Sequence, residues 1–426
     1  MHRVIAVLTV LTALACPGVA GAAVAGPPDP GQTTTGSFAS GGGDYRFLRY
    51  VPRSLPAGKR VPLVVMIHGA QTTAEQEVRV TGYNRLAERE GFIVLYPDVD
   101  ALGRVAPGPI NQSWKFYDPT TYFRGYSDAE AIAAMTRDTI ARLPVDTERV
   151  YAVGVSAGGL MAAVEAAAYS DIFAAAANVV SAGFADGLCF VTGTGIPAAV
   201  SAELAFAQMG PRARVVPTMV MTSDADLAFP SACGEKALEQ GLRMNNLVLS
   251  GRQGTPLALT PASVRRDQVP GGYAYDVSSY RDRGGCLVGE KWLIHGMPHS
   301  WPGEPTTDST GVAAIRSPDG TAATWAFVRR YTKGTTSLPC AEAPVPPVAA
   351  APPSRTCAAR SVTVRLPPGA RARRVTVDGR RVRLQRRGAA VRVRLPATTK
   401  ARATVLVRAR AKSGRTITRR HTFKRC

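Results

Sequence analysis

The chain has 426 residues, 45% of them hydrophobic, and a formal net charge of +21 at pH 7. These values describe an ordinary globular protein, long enough for one large domain and a smaller one, and no segment beyond the amino end is apolar enough to cross a bilayer. Residues 357–426 hold 19 Arg and 3 Lys against the single acid Asp378, which leaves 30 basic and 30 acidic residues elsewhere, so the charge excludes nothing about a substrate of the larger part.

In chain order, His2-Arg3, an apolar run over 4–15 and the small residues Ala20-Gly21-Ala22 and Ala23-Val24-Ala25 read as a secretory signal over residues 1–25. Residues 26–43, rich in Gly, Pro, Thr and Ser, read as a flexible leader. A first strand is expected at 45–51. The continuous apolar run at 63–67 predicts a strand buried on both faces of a parallel sheet, followed by a helical stretch near 75–90 and a second such strand at 92–96. An aromatic loop at 111–118 and a helix near 127–143 lead to Val150-Tyr151-Ala152-Val153-Gly154-Val155-Ser156-Ala157-Gly158-Gly159. There a β-branched run enters Gly-x-Ser-x-Gly and then an Ala-rich segment, the strand, sharp turn and helix of a nucleophile elbow with Ser156 on the turn.

Beyond it, strands are expected at 216–222 and 291–295, and a helix at 321–331 closes a doubly wound, mostly parallel α/β domain over residues 44–340. Residues 341–356 form a Pro-rich linker. Residues 357–426 alternate apolar and polar in short runs, with Asp378-Gly379 as a hairpin signal, and predict a small all-β, sandwich-like domain with one face coated in arginine. The six cysteines beyond residue 25 read as disulfides of an exported protein. Cys357 and Cys426, which bracket the basic module, are expected to pair with each other, and Cys189, Cys233, Cys286 and Cys340 to pair within the larger domain.

A serine hydroxyl needs a positioned base, and the base needs a carboxylate. In this fold class the chain order is Ser, acid, His; of five histidines His2 lies in the signal, His68 precedes Ser156 and His421 lies in the basic module, which leaves His295 and His299. His299, in the loop beyond the last strand, is preferred as the base. The strand near 222 offers Asp224 and Asp226; Asp226 is taken as the acid and Asp224 as a turn former. Ala157 N–H and an N–H at Ala70 or Gln71 are expected to hold the oxyanion, while His68 shapes that loop.

Residues 62–71, Ser113-Trp114-Lys115-Phe116, residues 150–162, Asp226 and residues 295–303 together resemble the secreted poly(3-hydroxybutyrate) depolymerase-like esterases, relatives of feruloyl and acetyl xylan esterases in the α/β-hydrolase superfamily. The resemblance implies an α/β-hydrolase fold, no metal or cofactor, and Ser156, Asp226 and His299 as nucleophile, acid and base. It also makes Trp114, Phe116 and Trp301 candidates to line the substrate pocket. The chain departs from the family pattern at Ala70, Ser113, Phe116 and Pro298, which leaves the substrate open between polyesters and plant-wall or aryl esters. A serine peptidase, and a non-catalytic surface-binding protein with an inactive hydrolase domain, are the rival readings. For the basic module two readings stand: a solvated arginine face, or adhesion to an anionic cell wall or acidic polysaccharide, with no specific nucleic-acid binding because Phe423 is its one aromatic residue. The signal over residues 1–25 implies secretion, and the second reading adds association with the cell wall.

Overall fold

A computed structural model describes residues 31–40, 43–55, 57–99, 112–250, 257–303, 313–314 and 316–334, and, nearer the carboxyl end, 361–365, 371–378, 380–382, 385–387, 390–394, 402–410 and 416–424. The expected signal, the linker, Cys340, Cys357 and Cys426 lie outside them. The chain divides into two units, Met1–Val345 and Pro346–Cys426.

The first unit is built on a ten-stranded sheet: β1 (Gln32–Ser40), β2 (Gly43–Val51), β3 (Val61–Ile67), β4 (Ile93–Asp98), β5 (Val145–Val155), β6 (Ala175–Val179), β7 (Thr218–Ser223), β8 (Ser263–Gln268), β9 (Ala274–Arg281) and β10 (Leu287–Ile294). Their spatial order is β1-β2-β4-β3-β5-β6-β7-β10-β9-β8. The six strands from β4 to β10 are parallel, and the antiparallel pairs β1/β2 and β8/β9 close the edges. Every residue of β3 and β4 is buried, as strands covered by helices on both faces must be. After β4 the chain crosses back to the other side of β3, so the loops leaving β3 and β5 flank the crevice where the winding reverses, the place at which such sheets bind ligands.

Two expectations need correction. Residues 32–40 are not a free leader: three successive β-branched threonines open a strand that pairs along its whole length with β2, from Gln32 opposite Val51 to Ser40 opposite Gly43. The helical stretch near 75–90 is two helices, α1 (Ala74–Thr81) and α2 (Tyr83–Glu90), because Gly82 adopts φ 66° between them. Thr73 starts α1 with a capping box, its hydroxyl accepting from Gln76 N while the Gln76 side chain accepts from Thr73 N. The other helices are α3 (Ser127–Arg142), α4 (Ala157–Ala168), α5 (Leu188–Thr192), α6 (Ala198–Met209), α7 (Ser231–Ser250) and α8 (Gly320–Val328). Cys189 on α5 and Cys233 on α7 form a disulfide, and Cys286 is also disulfide-bonded. Among the described residues no helix is long and apolar enough to cross a membrane.

The described residues of the second unit form two antiparallel sheets. Ser361–Arg365, Ala390–Arg394 and Gln385–Arg387 make one; Arg380–Arg381, Arg371–Val377, Arg402–Arg410 and Thr416–Lys424 make the other. Val377 pairs with Arg380, and Asp378, after Val377, sits at φ 51°. Along Arg402–Arg410 the small apolar residues Val405, Val407 and Ala409 are buried while Arg408 and Arg410 are exposed.

Candidate active site

The elbow forms because two glycines let backbones touch. A Cβ on Gly154 would lie 2.0 Å from the Gly158 carbonyl oxygen, and one on Gly158 would lie 2.1 Å from that of Ile67. Strand β5, helix α4 and the end of β3 therefore meet closer than any side chain allows. Ser156 between them sits at φ 54°, ψ −125°, a conformation L residues rarely adopt, and its N–H donates to Val179 O at 2.9 Å.

Two other loops converge on it. Beyond β10, His299 Nε2 lies 2.9 Å from Ser156 Oγ, and His299 Nδ1 lies 2.8 Å from Asp226 Oδ2 in the loop after β7. The Asp226 side chain is fully enclosed, and its second oxygen accepts from the N–H groups of Ala228 and Phe229 at 2.8 and 2.9 Å. Those bonds lock the carboxylate, which in turn fixes the imidazole tautomer with Nδ1–H toward Asp226 and Nε2 free to accept from the serine. The turn-forming role expected of Asp224 thus falls to Asp226 as well.

Asp224 makes a separate pair. It accepts from His295 Nδ1 at 2.7 Å and from Gly296 N at 2.7 Å, and both side chains are exposed by a third or more. The hydrogen bond to Asp224, reinforced by the charges of Asp224 and Asp276, holds His295 above the ordinary imidazole range. Some burial pushes Asp224 upward, but its bonds from Gly296 and His295 outweigh that and hold it below the usual carboxylate range.

The expected oxyanion donors lie on either side of the serine. Ala157 is the first residue of α4, where the helix leaves its N–H without an intrahelical acceptor. Ala70 and Gln71 follow β3, Gln71 at φ 60°, and this loop passes so close to the elbow that a Cβ on Gly69 would be 3.3 Å from Ser156 Cβ.

Of the three aromatic pocket candidates two are corrected. Trp114 is fully buried; its Nε1–H donates to His68 O at 2.9 Å and its ring lies 4.9 Å from the His68 ring, so it supports the loop after β3 rather than facing a substrate. Asp128 holds that arrangement, accepting from Lys115 N at 2.6 Å and from Tyr45 Oη at 2.7 Å. Trp301 is a core side chain bonded to Thr321 and packed near Tyr83. Phe116 keeps a link to the site through a file of rings: it meets Phe190 edge-on at 6.2 Å, Phe190 lies 5.5 Å from Phe229, and Phe229 stacks on His299 at 5.9 Å. Phe190 and Phe229 escape sequence reasoning because no spacing ties α5 to the loop after β7; the Cys189–Cys233 disulfide is what brings them together.

Residues 46–253 match the family model described as esterase PHB depolymerase. The chain is 28% identical over 287 residues to poly(3-hydroxyalkanoate) depolymerase C of Paucimonas lemoignei, a match covering 65% of this chain and 63% of that protein. It is 34% identical over 151 residues to a probable acetylxylan esterase A of Aspergillus clavatus, covering 35% of this chain and 45% of that one. The chain therefore spans less than two thirds of the length of these curated relatives. An acetyl xylan esterase structure from Aspergillus awamori superposes with a TM-score of 0.50 at 19% identity, over 62% of this chain and 94% of that one, in agreement with an α/β-hydrolase fold.

Proposed function

We propose, from the match of residues 46–253 to the family model described as esterase PHB depolymerase, that the chain is a secreted serine hydrolase of carboxylic esters working through an acyl-enzyme. The observation that carries this reading is the unbroken hydrogen-bonded file Asp226, His299, Ser156 at the mouth of the elbow. His299 Nε2 takes the Ser156 proton as Oγ attacks the ester carbonyl, and then delivers it to the leaving alcohol. The same nitrogen next deprotonates a water that attacks the acyl-serine, and returns that proton to Oγ as the acid leaves. Asp226 stabilises the imidazolium formed at each stage. The N–H groups of Ala157 and of the Ala70-Gln71 turn receive the developing oxyanion. This chemistry calls for no metal or cofactor. The substrate class is a polyester of the polyhydroxyalkanoate kind or a plant-wall or aryl ester, with Phe116 and the rings that connect it to His299 as an apolar wall for the acyl or alcohol group.

Export rests on the signal-like residues 1–25, and the Cys189–Cys233 disulfide suits an oxidising compartment. The domain division is part of the same proposal: a hydrolase over 44–340, its amino edge extended by β1, then a linker and a basic module over 357–426 that anchors the enzyme to an anionic cell wall or polysaccharide. Charge supports the anchor: residues 357–426 carry 22 basic side chains against the single acid Asp378, a density of positive charge that attracts polyanions.

Turnover of short 4-nitrophenyl esters, beside a chromogenic peptide, tests the reaction class. Ester cleavage that falls by about 10⁴-fold or more in Ser156→Ala is expected. Peptide cleavage without ester cleavage would make the protein a peptidase, and neither would leave it a binding protein.

A further inference from the structure

The loop after β3 carries a polar relay that the reaction above leaves unused. Thr72 Oγ1 lies 2.9 Å from the Gly69 carbonyl oxygen and 3.1 Å from Glu77 Oε1. Glu77, on α1, is 1% exposed, and its Oε2 has no hydrogen-bond partner. A hydroxyl has one proton to donate, so Thr72 serves one of its two neighbours at a time. When Thr72 donates to Gly69, its oxygen can only accept from Glu77, which must then be a neutral carboxylic acid. When Glu77 is a carboxylate, the Thr72 proton turns to it and leaves Gly69.

That choice reaches the reaction because the Gly69 carbonyl and the Ala70 N–H belong to one planar peptide and point in opposite directions. Whatever fixes the carbonyl aims the N–H. A second hold exists: Val99 N donates to His68 Nε2 at 3.4 Å, which leaves Nδ1 as the ring's donor, 2.6 Å from the same Gly69 oxygen.

We infer that Thr72 and Glu77 are positioning residues, a relay from a protonated Glu77 through Thr72 to the Gly69 carbonyl that aims the Ala70 N–H at the oxyanion. The inference rests on the esterase reading, since it presumes that Ala70 is an oxyanion donor. Burial, opposed by the Thr72 hydroxyl and the Gly69 backbone, pushes the Glu77 carboxyl up to about 7, so both states are populated near neutrality. The titratable groups on the neighbouring elements include Tyr96 and Asp98 on β4, of which Asp98 accepts from Ala74 N, His68 on the loop, and Arg46 on β2, which pairs with Glu75 of the same helix; burial and, with it, a charge on Glu77 hold Tyr96 above its ordinary range.

The test is kcat and KM on a soluble ester from pH 6 to 9 for the full chain and for Thr72→Val, Thr72→Ser and Glu77→Gln, each with fluorophosphonate labelling of Ser156. Thr72→Val should lower kcat about tenfold with little change in KM, less than the loss of a whole oxyanion donor, and Thr72→Ser should restore most of it. The unmodified chain should step down to a lower alkaline plateau as Glu77 ionises near pH 7, with His68 keeping part of the hold. Glu77→Gln, which cannot ionise and whose NH2 can donate to Thr72 as the protonated acid does, should keep the acid-side rate and lose that step. A Thr72→Val enzyme with unchanged kcat, or an alkaline step that survives in Glu77→Gln, overturns the relay; should Thr72→Val fail to fold, the Glu77→Gln profile decides. An unmodified chain that neither labels nor turns over ester overturns the esterase reading instead, and the relay with it.

Discussion

Two His–Asp pairs stand within a few residues of each other, and environment separates their roles. Asp226 is enclosed, bonded twice by backbone N–H groups, and turned to the one histidine among the described residues that reaches Ser156; Asp224 faces solvent and binds a histidine that does not. Asp226→Asn should therefore lower kcat by about 10³-fold or more, through loss of the tautomer it enforces, while Asp224→Asn stays within a few fold. Steady-state kinetics on one soluble ester decides; the opposite ranking would move the acid to Asp224. Chain order and the scarcity of histidine narrow the candidates in the sequence, and spacing and the family resemblance favour Asp226 over Asp224. The enclosure of one carboxylate and the exposure of the other could not be read there, because they depend on how two loops fold against each other. The Thr72–Glu77 relay was illegible for a similar reason: Glu77 looks like an ordinary charged helix residue until its burial is seen.

Strands β3, β4, β5, β7 and β10 announce themselves because apolar side chains on both faces are what a helix-covered parallel sheet requires. Others stay silent. Strand β6 reads Ala-Ala-Ala-Asn-Val, a better helix than strand by propensity, and it is extended because β5 and β7 pair with it from both sides. Strand β8 is exposed throughout its length, so no alternation marks it; β9 holds it in place by pairing. The aromatic loop shows a limit of another kind. Trp114 is easily noticed, yet its large ring and single N–H donor serve the backbone of His68, one layer behind the site. In the second unit the alternating runs and the Asp378-Gly379 turn give the strands away, although Thr416–Lys424 carries too few apolar residues to be read.

At the scale of the molecule the chain separates chemistry from charge. The net charge of +21 resides in residues 357–426 and the remainder is balanced, so under the proposed anchoring any attraction to a polyanion is expected from those residues alone. Removing residues from 341 onward should release the protein from an anionic-polymer pull-down at low salt and leave turnover of a small ester nearly unchanged. Binding by the full chain should weaken with salt as screening shortens to about 8 Å at 0.15 M, yet persist at modest salt because arginine pairs bidentately with phosphate and carboxylate. Equal binding by both forms would make the arginines a solvated face. All of this presumes that Ser156 is a nucleophile primed by His299. Incubation with a fluorophosphonate, followed by peptide mass mapping, reads that out. One adduct per chain on the peptide containing Ser156, lost in His299→Ala, is the expected result, and an unreacted Ser156 in the folded, full-length protein would contradict it.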